Sequence, residues 1–447
     1  MLLILKKEHF FLKTYYTNLC YKNIAMEKLS LLRLIAISLI ISQLAFAQKD
    51  RKKDDRYGYH FKGKNQKSAK FPFDLHANLI VVKATLDDSD TLRFILDTGV
   101  GSTIITDSKR ALTLGVNYVR RVKISGAGEG EALMANVSVG HSIKIGDIIA
   151  NKQNLVVLDE DVLKLSEFLG VPIHGIFGHD IFSNFVVTID FENKMLTLTE
   201  PTKFKYKKSM GTQYPIVLTQ SKPYTDAIAM VRNEKIIPMR LVIDTGAGHA
   251  LLLNAGVNEP IHLPDRVMRA NLGRGLNGEI NGNIGRVDKI TMGSIEMKNI
   301  LASFPDSLSF SMKFTSDVDK RQGSIGCELL RRFVVTLNYR DGYMILKPLR
   351  NRMKESFEHD MSGLDVRAKG DAFNQYIINK VIEGSPADEA GLREGDELIF
   401  VNNQSVKELT ISEIYKVLSK KEGKEIEFFF RRNGELKFAY FKLKRMI

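Results

Sequence analysis

Short apolar segments recur along most of the chain, and Gly, Asn or Asp residues separate them. Within these segments, β-branched and aromatic residues alternate with polar ones or form short runs, which is typical of β-strands. The clearest predicted strands are Leu79–Leu86, Leu92–Leu96, Phe185–Phe191, Met195–Thr199, Ile216–Leu218, Ile228–Val231, Phe333–Tyr339 and Met344–Leu346. Helical patterns are few, and Asp161–Leu169 is one candidate. Many short strands with glycine turns predict a mainly β protein with barrel-like or sandwiched sheets.

The sequence of this β-rich part occurs twice. Arg93–Gly101 has the sequence RFILDTGVG, and Arg240–Gly248, 147 residues later, has the sequence RLVIDTGAG. The same spacing relates Gly126 to Gly273, Gly128 to Gly275, Gly146 to Gly293 and Asp159 to Asp306. After one added residue, Gly175–Gly178 matches Gly323–Gly326, and Phe185–Thr188 matches Phe333–Thr336. Similarity at a fixed spacing predicts two copies of one unit, which we place at 71–200 (lobe 1) and 212–348 (lobe 2).

Each copy places a carboxylate at the end of an apolar strand. Asp97 follows Phe94–Leu96, and Asp244 follows Leu241–Ile243. A lone buried carboxylate is costly, whereas two that face each other can share one proton. The ionised member can then act as general base toward a water, and the protonated member can polarise a carbonyl group. We therefore predict that Asp97 and Asp244 are catalytic.

The two residues after each aspartate fit the same interpretation. Thr98 and Thr245 can hydrogen-bond across the two loops, and Gly99 and Gly246 allow the backbone to approach a carboxylate and to turn where a β-carbon would not fit. The alternative is that Asp-Thr-Gly forms only a turn. Two matches, each after an apolar strand and each at the repeat spacing, favour the carboxylate pair.

The pattern resembles the retropepsin-like aspartic peptidases, specifically their bacterial two-lobed relatives. The resemblance covers about residues 70–350. It rests on the two Asp-Thr-Gly segments and on an apolar segment that ends about 80 residues after each, at Gly178 and at Gly326. It implies a pepsin-like bilobal fold with the substrate cleft between the lobes, and peptide-bond hydrolysis without a metal or other cofactor. Because one chain carries both aspartates, a monomer should hold a complete site.

Glycine-rich segments lie where the flaps of this family close over substrate. They are Ser125–Gly130 and Gly273–Gly278. The flap candidates are Gly126, Gly128, Gly273 and Gly275, because flexible hairpins suit a lid that opens and closes. Such segments are also ordinary turns, so they are weak evidence by themselves.

The sequence departs from the pepsin-like pattern near the aspartates. Val100 and Ala247 follow the triplets, where pepsin-like enzymes have Ser or Thr, and the flap segments contain no tyrosine. His249 has no counterpart in lobe 1, where Ser102 stands. If protonated it could lower the pKa of the pair, although a packing or solvent-facing role is the favoured interpretation. These departures leave the pH optimum and the inhibitor sensitivity open.

Three further residues near the predicted loops carry possible chemistry. His174 and His179 flank Gly178 without an acidic or Cys partner at ligand spacing, so we predict no metal site. Cys327 occupies the position of His179 in the second copy. We predict that it is a small buried residue, not a nucleophile.

A different pattern begins near Phe357. Residues 384–402 have the sequence GSPADEAGLREGDELIFVN. With a preceding strand at Tyr376–Val381 and a following helix at Ile411–Leu418, residues 357–447 resemble a bacterial PDZ domain, a small α+β barrel. The resemblance implies that a peptide adds as a strand between the segment after Gly363 and the helix, with its carboxylate held by backbone N–H groups. The implied peptide-binding residues are Gly363, Leu364, Ile411, Ile414 and Leu418; a closed or unused groove is the alternative.

The N-terminal region has the pattern of a secretory signal. From Met26, basic residues precede the apolar stretch Leu34–Ala47, which ends Ala45-Phe46-Ala47. We predict that the true start is Met26, that residues 1–47 form a leader, and that the protein is exported to the periplasm. An uncleaved signal that anchors the chain in the membrane is the alternative. The mixed-charge residues 48–70 are predicted to be a flexible linker.

Charge and cysteine content narrow the remaining possibilities. The net charge of +13 is dispersed along the chain, which predicts no nucleic-acid partner. After removal of the leader only Cys327 remains, so no intrachain disulfide can form. The sequence as a whole predicts an exported, monomeric aspartic endopeptidase whose PDZ domain delivers or gates peptide or protein substrates. The alternative is a catalytically weak peptide-binding scaffold that uses the same cleft and groove.

Overall fold

The structure, a computed structural model, describes residues 56–231, 235–255, 261–306 and 321–447. The predicted leader and residues 48–55 of the predicted linker lie outside the described residues. No helix within the described ranges is long and apolar enough to cross a membrane.

Lobe 1 is a closed β-barrel with short helices. Its described strands are β1 (Gly58–Phe61), β2 (Ser68–Pro72), β3 (Asp74–His76), β4 (Leu79–Leu86), β5 (Leu92–Leu96), β6 (Ile104–Ile105), β7 (Tyr118–Ile124), β8 (Leu133–Ile145), β9 (Ile148–Leu158), β10 (Gly175–Phe177), β11 (Val186–Asp190) and β12 (Met195–Thr199). The α-helices are α1 (Ser108–Thr113), α2 (Leu165–Leu169) and α3 (His179–Asn184). The main sheet has the order β1-β9-β6-β10-β5-β4-β8-β7, and an additional β8–β9 pairing closes it.

Lobe 2 repeats this topology. Its described strands are β13 (Thr212–Pro215), β14 (Val217–Thr219), β15 (Lys222–Val231), β16 (Lys235–Ile243), β17 (Leu251–Leu253), β18 (Val267–Gly275), β19 (Gly278–Met292), β20 (Ile295–Pro305), β21 (Gly323–Ile325), β22 (Phe333–Asn338) and β23 (Tyr343–Pro348), and its helix is α4 (Cys327–Leu330). The sheet order is β14-β15-β16-β21-β17-β20-β19-β18, closed by β15–β19. Each strand of this order corresponds to one of lobe 1, as the sequence repeat predicts.

A third sheet joins the lobes. Its order is β13-β23-β22-β11-β12-β2, so each lobe contributes three strands and the lobes meet where β11 pairs with β22. At this junction Thr188 lies opposite Thr336, and their hydroxyl oxygens are 2.9 Å apart. Buried apolar side chains of both lobes pack into one continuous core. The predicted mainly β, bilobal fold is confirmed.

The structure corrects two local predictions. The prediction of a flexible linker is wrong for residues 56–70, because β1 pairs with β9 and β2 pairs with β12. Phe61 anchors β1 by packing on Phe185, with ring centres 5.2 Å apart. The predicted helix Asp161–Leu169 forms only at Leu165–Leu169: Lys164 has the left-handed φ of 52°, and its N–H donates to the Asp161 side chain in a turn (3.0 Å).

The C-terminal domain has its own sheet and its own apolar core. Its strands are β24 (Leu364–Lys369), β25 (Gln375–Val381), β26 (Glu397–Val401), β27 (Gln404–Ser405), β28 (Glu425–Arg432) and β29 (Glu435–Lys442), and its α-helices are α5 (Pro386–Glu389) and α6 (Ile411–Leu418). The sheet order is β24-β25-β26-β28-β29, with β27 beside β26, so β24 is an edge strand. Thr410 and Glu413 form a capping box that fixes where α6 begins.

Arginine side chains of lobe 2 hold the segment that leads into this domain. Arg332 is 1% exposed; its guanidinium carbon lies 3.7 Å from the centre of the Phe357 ring, and it donates to the carbonyl of Glu355 (3.1 Å). Arg286 donates to the carbonyl of Phe357 (2.9 Å). These contacts fix the point at which the C-terminal domain begins against lobe 2.

Candidate active site

Each aspartate stands where a central strand leaves its barrel. In lobe 1, β10 runs parallel to β5 and pairs Phe177 with Leu96, and the N–H of Asp97 donates to the carbonyl of Phe177 (2.9 Å). In lobe 2, β21 runs parallel to β16, and the N–H of Asp244 donates to the carbonyl of Ile325 (2.9 Å). The apolar residues before each aspartate are buried in the barrels. Corresponding strands of the two lobes therefore place both carboxyl groups at the boundary between the lobes.

Close approach to neighbouring backbone requires glycine at Gly178 and Gly326, where the second apolar segment of each lobe ends. A β-carbon on Gly178 would overlap the carbonyl of Val100, and one on Gly326 would overlap the carbonyl of His249. The next residue in each lobe then closes the loop, because the N–H of His179 donates to the carbonyl of Val100 (2.8 Å). The N–H of Cys327 likewise donates to the carbonyl of Ala247 (2.7 Å).

Thr98 and Thr245 join the two aspartate loops, as the sequence predicts. The N–H of each threonine donates to Oγ1 of the other, both at 3.0 Å. The Thr98 hydroxyl donates to the carbonyl of Ile243 (2.6 Å), and the Thr245 hydroxyl donates to that of Leu96 (2.9 Å). Both threonines are fully buried. Four hydrogen bonds therefore fix the relative position of the two aspartates.

The two carboxyl groups lie against the backbone of the paired loops. The N–H of Gly99 donates to Oδ1 of Asp97 (2.6 Å), and the N–H of Gly246 donates to Oδ1 of Asp244 (3.0 Å). A β-carbon on Gly246 would overlap the carboxyl group of Asp97 in the opposite lobe. The sequence predicts that each triplet glycine lets the backbone approach a carboxylate. Gly246 does so for a carboxylate of the opposite lobe.

Burial and the neighbouring carboxyl of Asp244 raise the pKa of Asp97 to about 7. The hydrogen bond from Gly99 and the positive charge of Lys222 act in the opposite direction. Two carboxyl groups in contact cannot both ionise readily, so the pair retains a proton at mildly acidic pH. The arrangement can thus hold one general acid and one general base side by side. Lys222 was not identified from the sequence, because it lies in β15, far from either triplet.

Near Asp244, the side chains of His249 and Cys327 make structural contacts and are uncharged. Nε2 of His249 lies 3.1 Å from the hydroxyl of Ser324, and burial lowers the pKa of this histidine. This favours its packing role over that of a nearby cation. Sγ of Cys327 donates to the carbonyl of Thr245 (3.3 Å), and burial raises its pKa. Cys327 is thus the buried residue that the sequence predicts.

The other two histidines make structural contacts. Nδ1 of His174 accepts a hydrogen bond from the N–H of Arg93 (3.0 Å). Nδ1 of His179 donates to the carbonyl of Ser221 (3.0 Å), and its ring lies 5.6 Å from that of Tyr339. Nothing in the described ranges groups three potential metal ligands.

The predicted flap segments meet each other, and Asn277 joins them. Oδ1 of Asn277 accepts from the N–H of Gly126 (2.6 Å), and Nδ2 donates to the carbonyl of Gly130 (3.0 Å). Its backbone N–H donates to the carbonyl of Ala127 (2.9 Å), and its carbonyl accepts from the N–H of Gly130 (2.6 Å). Asn277 is 2% exposed. The two segments thus form one clasp, which the sequence could not reveal because all four bonds cross between lobes.

Close approach explains two of the flap glycines better than flexibility does. A β-carbon on Gly128 would lie 2.5 Å from the carbonyl carbon of Asn277, and one on Gly275 would overlap the carbonyl of Ala127. Gly126 faces Leu276, at 3.0 Å from its Cβ. Only Gly273, with φ of 132° and open space around it, fits the predicted role of conformational freedom.

The residues predicted to bind a peptide in the C-terminal domain do not form an open pocket. Ile411, Ile414 and Leu418 are at most 1% exposed and belong to the core of the domain. The N–H groups of Gly363 and Leu364 already donate to the side chain of Asp360, at 2.6 and 3.1 Å. The apolar side chains and the N–H groups on which the predicted groove depends are therefore already buried or hydrogen-bonded within the chain.

Comparison with known proteins finds the same two parts. A family model described as "Aspartyl protease" matches residues 82–181 and again residues 229–329, and one described as "PDZ domain" matches residues 377–432. The first match contains Asp97 and the second contains Asp244, so the predicted duplication is confirmed.

One similar solved structure is the "Photosystem II D1 C-terminal processing protease". It is 20% identical over 20% of this chain and 23% of its own length, with a TM-score of 0.18. The match thus spans less than a quarter of that protein, and a superposition of this quality supports no argument. No curated protein matches the chain.

Proposed function

Because the chain carries a duplicated retropepsin-like aspartyl protease domain followed by a PDZ domain, we propose that it is an exported aspartic endopeptidase. The observation that carries the proposal is the cross-lobe threonine pair, which holds Asp97 and Asp244 against each other in one chain. A monomer therefore contains both halves of the site.

In the proposed reaction the pair shares one proton. Asp97 is the better candidate for the protonated member, because burial and Asp244 raise its pKa. Asp244 takes a proton from a water, the water oxygen bonds to the carbonyl carbon of the substrate, and Asp97 donates its proton to the carbonyl oxygen. The C–N bond then breaks as Asp244 returns its proton to the leaving nitrogen. Asp97 recovers a proton from the diol, which leaves a carboxylic acid, an amine and the pair in its starting state.

In the proposed enzyme the clasp formed by Asn277 acts as the lid over the aspartates, which is the role that the resemblance implies for the flap segments. Substrate entry then requires the two segments to part, because the hydrogen bonds of Asn277 join them across the lobes. Lids of this kind exclude water during the reaction and control product release. The endopeptidase accordingly cleaves extended segments that can pass between the parted flaps.

The proposed location of this activity is the periplasm. Its support is the signal-like pattern of residues 26–47, which begins with basic residues and ends in a small-residue cleavage site. Expression of the full chain, with N-terminal sequencing of the product, checks this point. A product that begins before Ala47 and sediments with membranes identifies the anchored form.

The test of catalysis is peptide cleavage by the purified chain from residue 48. We expect a peptide library to be cleaved between pH 3 and 8 without a metal, and Asp97→Asn and Asp244→Asn each to abolish cleavage while the fold is retained. Asp226→Asn, which removes an exposed carboxylate on β15, is the matched control and should remain active. Activity that survives in both dyad variants, or that disappears with a chelator, would overturn the proposal. Peptide binding by an inactive wild-type chain would instead identify a binding scaffold.

A further inference from the structure

We propose that residues of this same chain close the PDZ groove, and that a polypeptide with a free C-terminal carboxylate opens it and loosens the flap of lobe 2. The occupants are the carboxylate of Asp360, the hydroxyl of Tyr415 and helix α2 of lobe 1. The regulatory half of this inference rests on the proposed peptidase function, whereas the closure of the groove does not.

Asp360 occupies the position expected for a peptide carboxylate. Its Oδ2 accepts from the N–H groups of Gly363 (2.6 Å) and Leu364 (3.1 Å). Its Oδ1 accepts from the N–H of Ser362 (3.1 Å) and from the Ser362 hydroxyl (2.6 Å). Successive N–H groups that converge on one carboxylate form an anion-binding nest. A peptide terminus can enter this nest only by displacing the Asp360 side chain.

Gly363 makes the nest possible. It has φ of 84°, in the left-handed region, and a β-carbon there would overlap the side chain of Ser385. The N–H of Ala387 donates to the carbonyl of Ser362 (3.0 Å), which fixes the loop from its other side. The loop is therefore held by a backbone contact that does not involve Asp360.

Tyr415 occupies the free edge of the strand to which a peptide would add. Among the described strands β24 pairs only with β25, and its opposite edge faces α6. Along that edge the N–H of Val366 donates to the Tyr415 hydroxyl (2.8 Å), which also lies 3.4 Å from the carbonyl of Val366. An added strand needs both of these backbone groups as partners. Strand addition and the Tyr415 contact are therefore mutually exclusive.

Lobe 1 covers the other end of the groove. Gly170, directly after α2, is so close to α6 that a β-carbon there would lie 3.3 Å from Cγ2 of Ile411 and 3.7 Å from Cβ of Ala368. Glu167 forms an ion pair with Lys369 at the end of β24. A bound peptide would run antiparallel to β24 and reach this end about four residues before its terminus, given one residue per strand position. All but the shortest peptides would therefore displace α2.

Two further contacts attach the same part of lobe 1. The guanidinium of Arg367 lies 5.1 Å from the centre of the Phe168 ring. The N–H of Ala77 donates to the hydroxyl of Ser412 at the start of α6 (3.2 Å). Both walls of the groove, β24 and α6, are thus held by lobe 1.

The segment that covers the groove also holds the flap. The side chain of Arg274, in the flap of lobe 2, donates to the carbonyl of Val162 (3.1 Å), just before α2. Leu276, at the tip of that flap, packs against the apolar cluster that contains Leu163 and Leu169. Displacement of α2 from the PDZ groove thus removes a support of the flap. Occupancy of the groove and flap opening are coupled through residues 161–170.

The first test measures binding to the full chain by calorimetry. The probe is a peptide of about eight residues, long enough to reach α2, that ends in leucine and is used as the free acid and as the C-terminal amide. An internal occupant reduces the apparent affinity of an external one, so we expect Asp360→Ala to tighten binding of the free acid by about tenfold or more and to leave the amide unchanged. Equal affinity of wild type and variant for the free acid overturns the proposal.

A second variant keeps the test decisive if Asp360→Ala fails to fold. Tyr415→Phe removes only the hydroxyl, and it should also tighten binding of the free acid. Tyr440→Phe, at an exposed position of β29, is its matched control and should leave affinity unchanged. If Tyr415→Phe and Tyr440→Phe bind the free acid with the same affinity, the Tyr415 hydroxyl does not compete with the peptide.

The coupling is tested by hydrogen exchange in the Asp97→Asn chain, so no catalysis is required. Adding the free-acid peptide should speed exchange of the amides in 161–170 and in Gly273–Gly278. In the Glu167→Lys variant both segments should exchange faster even without peptide. The double variant Glu167→Lys/Lys369→Glu restores the ion pair with its charges exchanged, so it should restore protection. Faster exchange only within the PDZ domain would refute the coupling. A wild-type chain that shows the expected exchange but cleaves nothing would refute the peptidase function alone.

Discussion

The backbone of Gly246 and the carboxyl group of Asp97 belong to opposite lobes, yet no room for a β-carbon exists between them. The contact is produced by the hydrogen bonds between Thr98 and Thr245, which draw the loops together. The Asp-Thr-Gly triplet is therefore constrained across the lobe boundary as well as within its own loop.

Gly246→Ala should abolish cleavage and destabilise the chain. The added methyl group must displace the Asp97 carboxyl or part the loops, and overpacking of this kind costs about 1–3 kcal/mol. Urea unfolding and a peptide-cleavage assay measure the two effects. Gly101→Ala is the control, since a β-carbon there meets no atom within 4 Å. Comparable loss in both variants would mean that the contact with Asp97 is unimportant.

The raised pKa of Asp97 predicts a stability that falls as pH rises. An unfolded Asp titrates near 3.9, whereas Asp97 in the folded chain titrates at about 7. Between these values the folded state binds the extra proton, so the free energy of unfolding decreases with increasing pH across this window. Asp97→Asn should therefore weaken this pH dependence of the free energy of unfolding. Unfolding curves from pH 4 to 8 test this, and Asp226→Asn should keep the wild-type slope.

Thr98→Val should destabilise the chain by about 2–6 kcal/mol. It leaves the N–H of Thr245 and the carbonyl of Ile243 buried without their partner, at about 1–3 kcal/mol each. Thr188→Val serves for comparison, because it removes only the hydroxyl contact with Thr336 and should cost about 1 kcal/mol. Denaturant titration compares the two. A larger loss from Thr188→Val would locate the principal junction in the sheet and not in the threonine pair.

Asn277→Ala should loosen the clasp without affecting the aspartates. The variant keeps the two backbone hydrogen bonds and loses the three that the side chain makes with Ser125, Gly126 and Gly130. We expect a higher KM with a smaller change in kcat, and faster hydrogen exchange at Gly126. Asn281→Ala, which removes a single contact to Glu129, should show neither effect. An unchanged KM would indicate that the flaps part independently of Asn277.

The sequence predicted what is encoded locally or by repetition. Asp97 and Asp244 could be identified because an apolar strand, a triplet and a fixed spacing coincide in both copies. The strand β1 was missed because charged residues surround it in sequence, and its pairing with β9 and its packing on Phe185 are contacts with residues far away in the chain. Asn277 and Asp360 were missed for a similar reason. Their roles depend on partners or on a loop geometry that no periodic pattern records.

The pairing of β11 with β22 has a consequence for a chain that is cut. Residues 201–211 connect the lobes but contribute no strand to the sheet between them. A break there would leave two fragments whose four inner strands remain paired, with both aspartates still opposed. A fragment that contained lobe 1 alone would instead expose β11 as a bare apolar edge, and such edges pair with any strand they meet. In the uncut chain β22 is tethered to β11 and is therefore present at high local concentration. This pairing protects the edge of lobe 1 from aggregation.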